Sequence, residues 1–171
     1  MKHTLIALVE DKPGVLNRVA SLFRRRAFNI ESLTVGHTEN PGISRMTIVV
    51  ESSQAGAEKV AQNLHKLVNV IQVENVTEKP KVARDLALIK VSTGDGNQRS
   101  EVLQIVDTFR ARVVDVALDT LMVEVTGAED KIDGLVEVLR PFGIREMVRT
   151  GRVAMVRGGD AGGTHYTQSV F

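Results

Sequence analysis

The chain has 171 residues, a formal net charge of +1, 43% apolar and 4% aromatic residues, and no cysteine. That length suits one medium domain or two small ones, and so even a charge gives no reason to expect nucleic acid. The missing cysteines exclude disulfides and thiolate metal sites. No apolar run approaches the ~20 residues of a membrane span. No signal peptide follows Met1-Lys2-His3, so a cytoplasmic protein that binds neither membrane nor nucleic acid is expected.

Thr4 to Val9 is β-rich and apolar at nearly every position. Glu10-Asp11-Lys12-Pro13-Gly14-Val15-Leu16-Asn17 then turns into a helix, with Val15, Leu16, Val19, Ala20 and Phe23 at helical spacing. Asp11 is placed to cap that helix and Pro13 to stand just inside it. The turn has two readings: a plain strand-to-helix connection, or an anion site. For the second, backbone N–H groups near Gly14 and the positive end of the helix dipole would favour a carboxylate or phosphate. Arg24-Arg25-Arg26 closes the helix, where cations suit the dipole. Ile30 to His37 and Arg45 to Glu51 read as strands joined by the Thr38–Gly42 connection. A second amphipathic helix runs through Ala57, Val60, Leu64 and Leu67, and Val70 to Val76 alternates as a half-exposed strand. The order is βαββαβ.

Pro and charge interrupt the periodicity near Pro80, which gives a first domain over 1–78 and a linker over 79–84. The pattern then restarts. Leu86 to Val91 is a strand, and Gly94-Asp95-Gly96-Asn97 a turn into a helix capped near Asn97. Arg112 to Leu118 and Leu121 to Val125 are strands. A helix carries Ile132, Leu135, Val136 and Leu139, and a last strand is interrupted at Gly151. The fold class is α+β, two ferredoxin-like βαββαβ domains in tandem, the second over 85–157, with a flexible tail over 158–171. Leu5 to Val9 is apolar on both pleat faces, and helices cover only one. We therefore expect another subunit on the free face or the sheet edge, most economically in a homodimer.

The residues offer no catalytic constellation. His3, His37, His65 and His165 are scattered without metal-ligand spacing, so no metal is expected. There is no nucleophile elbow, and Gly94-x-Gly96 lacks the third glycine of a dinucleotide fingerprint. Gly94-Asp95-Gly96 also starts a thiamine diphosphate signature, but the Asn-rich ending that should follow is replaced by the strand Leu121-Met122-Val123.

Asp11-Lys12-Pro13-Gly14-Val15-Leu16, Asn29-Ile30-Glu31-Ser32-Leu33-Thr34-Val35 and Ser44-Arg45-Met46-Thr47-Ile48 carry a resemblance. The first half resembles the ACT domain, and 1–158 resembles the regulatory (small) subunit of acetolactate synthase, also called acetohydroxyacid synthase. The resemblance implies a non-catalytic protein with no cofactor of its own. Its partner would be a large catalytic subunit carrying thiamine diphosphate and magnesium, in branched-chain amino-acid synthesis. It implies activation of that subunit and feedback inhibition, typically by valine. It places the effector between two ACT domains of a dimer, pointing to Asp11, Gly14, Val15 and Leu16 at the turn, with Asn29, Ile30 and Val35 around it. Relatives often carry Asn at position 11, so Asp11 adds a charge. Backbone N–H groups of Gly14, Val15 and Leu16 would meet the effector's carboxylate, and Asp11 and the Asn29 amide its ammonium. Asn29 alternatively satisfies a turn. The rival readings are a stand-alone ACT-domain amino-acid sensor or transcriptional regulator, for which no helix-turn-helix or basic face is present, and an enzyme, whose polar residues do not converge.

Overall fold

The structure, a computed structural model, describes residues 1–158. β1 (Lys2–Glu10), α1 (Val15–Arg25), β2 (Ile30–His37), β3 (Ile43–Glu51), α2 (Gln54–His65) and β4 (Val70–Asn75) form the first unit. The second repeats it with β5 (Lys81–Ser92), α3 (Gly96–Thr108), β6 (Arg112–Val116), β7 (Thr120–Gly127), α4 (Glu129–Leu139) and β8 (Ile144–Arg149), and adds β9 (Val153–Val156). Strand order is β2-β3-β1-β4 in one sheet and β6-β7-β5-β8 in the other. All pairings are antiparallel. This is the α+β, doubled ferredoxin-like arrangement that the hydrophobic pattern predicts. The expected tail lies, past Gly158, outside the described residues.

Each unit places its helices on one face of its sheet. In the first, Leu5, Ala7 and Val9 of β1 and Met46, Ile48 and Val50 of β3 share a core with Val19 and Phe23 of α1 and Val60 and Leu64 of α2. In the second, Ala87, Ile89 and Val91 meet Val102, Val106, Ile132 and Leu135 in the same way. The Asp95 carboxylate caps α3 by accepting from the Gln98 N–H at 2.8 Å, two residues before the predicted cap. The Gly-Asp-Gly tripeptide thus has a local structural job.

Two differences from the sequence reading matter. β5 already begins at Lys81, within the stretch read as linker, because residues 81–84 pair with β9. Between the Arg84↔Val153 and Ala87↔Arg149 pairs, β5 advances three residues and its partner four. One extra residue therefore bulges from the β8–β9 side around Gly151. This is the interruption predicted there, and it carries the β5–β9 ribbon beyond its own domain.

The second difference concerns the free face of the first sheet. Thr4, Ile6, Thr47 and Val49 point away from the helices, yet all four are buried. The chain's own second unit supplies the cover: Arg152 Nη1 reaches Thr4 Oγ1, and Arg45 Nη2 donates to the Ala154 carbonyl at 2.9 Å. The doubly apolar strands therefore do not by themselves require another subunit, which corrects that inference for the face. The edge is a separate matter, since β2 ends the sheet with one side unpaired among the described residues.

Phe23 is 2% exposed and meets Phe28 edge-on at 6.5 Å. Phe23→Ala is expected to lower stability by about 3–5 kcal/mol, read from the urea-unfolding midpoint.

Candidate functional site

The turn between β1 and α1 is held from three sides. The Asp11 N–H donates to the Gly42 carbonyl at 2.8 Å, which ties it to the β2–β3 hairpin. The Glu10 N–H donates to the Asn69 carbonyl at 2.9 Å, and Asn69 Nδ2 donates back to Glu10 Oε2 at 2.6 Å, which ties it to the start of β4. Arg18, one turn into α1, donates to Asn69 Oδ1. The chain then enters α1 through Gly14 at φ +84°. An L-residue meets backbone crowding in that left-handed region, which glycine avoids.

Asp11 does not cap the helix, contrary to expectation: the N-cap position is Gly14, and no side chain caps it. Pro13 lies before the helix rather than inside it. The N–H groups of Gly14, Leu16 and Asn17 consequently have no hydrogen-bond acceptor among the described residues. Val15 differs from the reading that used its N–H, because that N–H is taken by the Lys12 carbonyl at 3.3 Å. Its side chain belongs to the core. Leu16 is exposed beside the turn. The Asp11 carboxylate is half exposed and lies 3.4 Å from His37 Nδ1.

The remaining candidates are elsewhere. Glu10 pairs with Ile43 at one end of β3, whereas Ile30 pairs with Val50 at the other. Seven residues of strand separate those positions, ~23 Å at a rise of ~3.3 Å per residue. Asn29 and Ile30 therefore cannot line the same pocket as Gly14 within one chain. Asn29 is exposed, and its amide makes no hydrogen bond among the described residues, so it does not serve as a turn-closing side chain. Ile30 packs partly against the core, and Val35 lies exposed on the edge strand, two residues from His37.

Sequence reasoning missed His37, Asn69 and Arg18 as parts of this turn. Pairs such as Glu10 with Asn69 lie 59 residues apart, and only the antiparallel β1–β4 pairing brings them together. Among the described residues no His, Asp or Glu cluster could hold a metal ion, and no helix is long and apolar enough to cross a membrane.

Comparison with known proteins bears on this geometry. Residues 5–72 match the family model described as the AHAS small subunit-like ACT domain, and residues 84–158 that described as the small subunit of acetolactate synthase. The acetolactate synthase small subunit of Mycobacterium leprae is 54% identical, over 91% of this chain and 92% of its own. The chain belongs to the acetolactate synthase small-subunit family. Another small subunit, from Aquifex aeolicus, is 49% identical over 91% of this chain and 81% of its own. The crystal structure of the Thermotoga maritima small subunit superposes with a TM-score of 0.86 at 38% identity, covering 93% of this chain and 99% of that one. The first unit is thus an ACT domain, and the turn at Gly14 lies within it.

The hydrogen bond from Asn69, and then Lys12, holds the Glu10 carboxyl below its usual range. A lowered carboxyl favours the folded turn fully above that usual range, and the contribution fades as pH falls through the lowered value. Asn69→Ala is expected to return the Glu10 carboxyl toward its ordinary value, read from its ¹³C chemical shift in an NMR pH titration.

Proposed function

We propose that this small subunit binds a branched-chain amino acid, valine foremost, at a site shared by the ACT domains of two copies, and so regulates its catalytic partner. In the absence of effector it raises the large subunit's activity; with effector bound it imposes feedback inhibition. Thiamine diphosphate and magnesium belong, on this reading, to the large subunit, which performs the condensation of 2-oxo acids.

The observation that carries the reading is the division of the candidate residues between the two ends of β2. The turn supplies N–H groups at Gly14, Leu16 and Asn17 that are unpaired among the described residues, and the half-exposed Asp11 carboxylate. Those suit an amino acid's carboxylate and ammonium. Asn29, with its free amide, lies ~23 Å away along the strand rise. β2 is an edge strand, so a second copy can pair with it antiparallel about a two-fold axis. Antiparallel pairing sets the start of one β2 against the end of the other, which brings Asn29 of the second copy toward the Gly14 turn of the first. A closed site then exists only in the homodimer. The exposed side chains of Leu16 and Val35 supply the apolar wall. Such a wall separates ligands differing by one methylene by only about 1–3 kcal/mol, so leucine and isoleucine should cross-inhibit.

The test mixes the purified chain with an acetolactate synthase large subunit and assays activity with and without valine. Activation without valine and inhibition with it are expected. A chain that binds valine but changes no activity would favour a stand-alone sensor, and turnover by the chain alone would favour an enzyme.

Gly14→Asp sharpens the site assignment. A Cβ at Gly14 meets nothing within 4 Å, so the new side chain has room. Asp also tolerates the left-handed conformation better than most residues. The variant should fold, place a negative charge where the effector's carboxylate sits, and lose valine inhibition while retaining activation. Wild-type valine sensitivity in this variant would refute the site.

A further inference from the structure

The two domains meet on the side of β2 that faces away from the ACT core. Leu33 and Val35 pair with Ile48 and Met46, which belong to the helix-side core. Ser32 and Thr34 therefore point the other way, by the period-two alternation of a strand. There the β8–β9 bulge is seated on them. The Arg152 N–H donates to Ser32 Oγ at 2.9 Å. A Cβ on Gly151 would fall 2.5 Å from Thr34 Oγ1, 2.6 Å from Ser32 Oγ and 3.1 Å from the Leu33 carbonyl. Since backbone is among those neighbours, no side-chain rotation alone would make room.

Charge latches the same seam. Lys2 Nζ lies 2.7 Å from carboxylate oxygens of both Glu31 and Glu129, and Arg152 Nη2 lies 2.6 Å from the second oxygen of Glu129. Lys2 and Glu31 belong to the ACT domain; Glu129 and Arg152 belong to its neighbour. Glu129 also opens α4, where the helix dipole favours a carboxylate. The bond to Lys2 holds Glu129 below its usual range despite burial, and Lys2 is raised far above the ordinary lysine range by Glu129 first and Glu31 second. With those directions the latch is charged at neutral pH; the Glu129 contribution fades as pH falls through its lowered value, and the Lys2 contribution fades as pH rises through its raised one. A polar cavity of about 390 Å³ borders it, lined by Lys2, Glu31, Glu129 and Arg152 among others.

We infer that this seam is a relay, in which the Gly151–Arg152 bulge seated on β2, and latched through Glu129 to Lys2, passes the state of the β2 edge to the second domain. The inference rests on the proposed reading of β2 as a wall of the effector site. One side of the strand would then feel the effector and the dimer partner, while the other carries the second domain with no slack between backbones. A shift of β2 must move the bulge or open the latch, which gives the two arrangements that coupling between sites needs.

The test uses Glu129→Gln and Gly151→Ala in the full chain. Neither residue belongs to the proposed effector site. In the reconstituted complex each variant is expected to keep effector-free activation within about two-fold and to raise the half-inhibiting valine concentration about five-fold or more, the scale of ordinary allosteric coupling. Valine affinity of the free small subunit, by calorimetry, should change by less than about two-fold on the same coupling argument. Unchanged inhibition in both variants overturns the relay. So does a loss of valine binding that parallels the loss of inhibition. If the wild-type chain binds no valine, the effector reading fails instead, and an effector-free measurement decides the relay. The chain has no cysteine, so spin labels at Glu39→Cys and Glu137→Cys report the interdomain distance in dimers diluted with unlabelled chain. A single narrow distance that broadens with Glu129→Gln supports the latch; identical narrow distributions with and without either substitution overturn it.

Discussion

A four-stranded sheet whose central strands are apolar on both pleat faces has to be covered twice, and the rest of this molecule follows from how that is done. Leu5, Ala7 and Val9 alternate with Ile6, and Met46, Ile48 and Val50 with Thr47 and Val49, so both faces of β1 and β3 exclude water. Helices α1 and α2 cover one face in the usual ferredoxin-like manner. The other is covered by the second domain, whose β5 overshoots its own sheet by the residues that pair with β9. Burial at roughly 25 cal/mol per Å² makes that face a strong reason for the two domains to stay together. The β2 edge, unlike either face, is left without a neighbour among the described residues.

The sequence makes the local half of this design readable. Periodicities of 3.6 and 2 recover the element order in both units, because each amphipathic helix and strand records its own burial. The doubly apolar β1 was also legible as something needing cover. The identity of that cover was not, because Arg84 pairs with Val153 across most of the second domain and no local pattern announces such a partner. The turn shows the same limit. A Gly next to Pro after a strand signals a special backbone conformation, and Gly14 has it at φ +84°. The use of Asp11 could not be read, since capping the helix and facing His37 are equally open to a short acidic side chain at that point. Nor could the Asn69 tie, which depends on β4 arriving beside β1.

Charge is placed in this chain by geometry rather than by quantity. The net charge of +1 would suggest an undistinguished surface. Yet Glu10 with Asn69, Arg18 and Lys12 organises one end of the ACT sheet, and Lys2 with Glu31, Glu129 and Arg152 organises the other. Many of these groups are a third exposed or more, and such pairs contribute little stability, typically 0–1 kcal/mol. Their value is directional: they fix which loop lies against which strand, and they can be rearranged at small cost.

That small cost would suit the proposed regulation by an amino acid. An amino acid can shift an equilibrium only by the difference in its affinity for the two arrangements, a few kcal/mol at most. A large apolar interface would be too stiff for it to move, and a flexible tether would transmit nothing. β2 lies between those limits. Its edge is unpaired among the described residues, its inner side is packed against the ACT core, and its outer side bears the glycine bulge of the second domain with ionic ties around it. A ligand completed across the edge by a second copy would then act on the one strand whose position both domains register. On this argument the separation of Asn29 from Gly14 within a single chain would be no defect of the proposed site. In the proposed homodimer it would make occupancy, dimer arrangement and domain contact depend on the same strand.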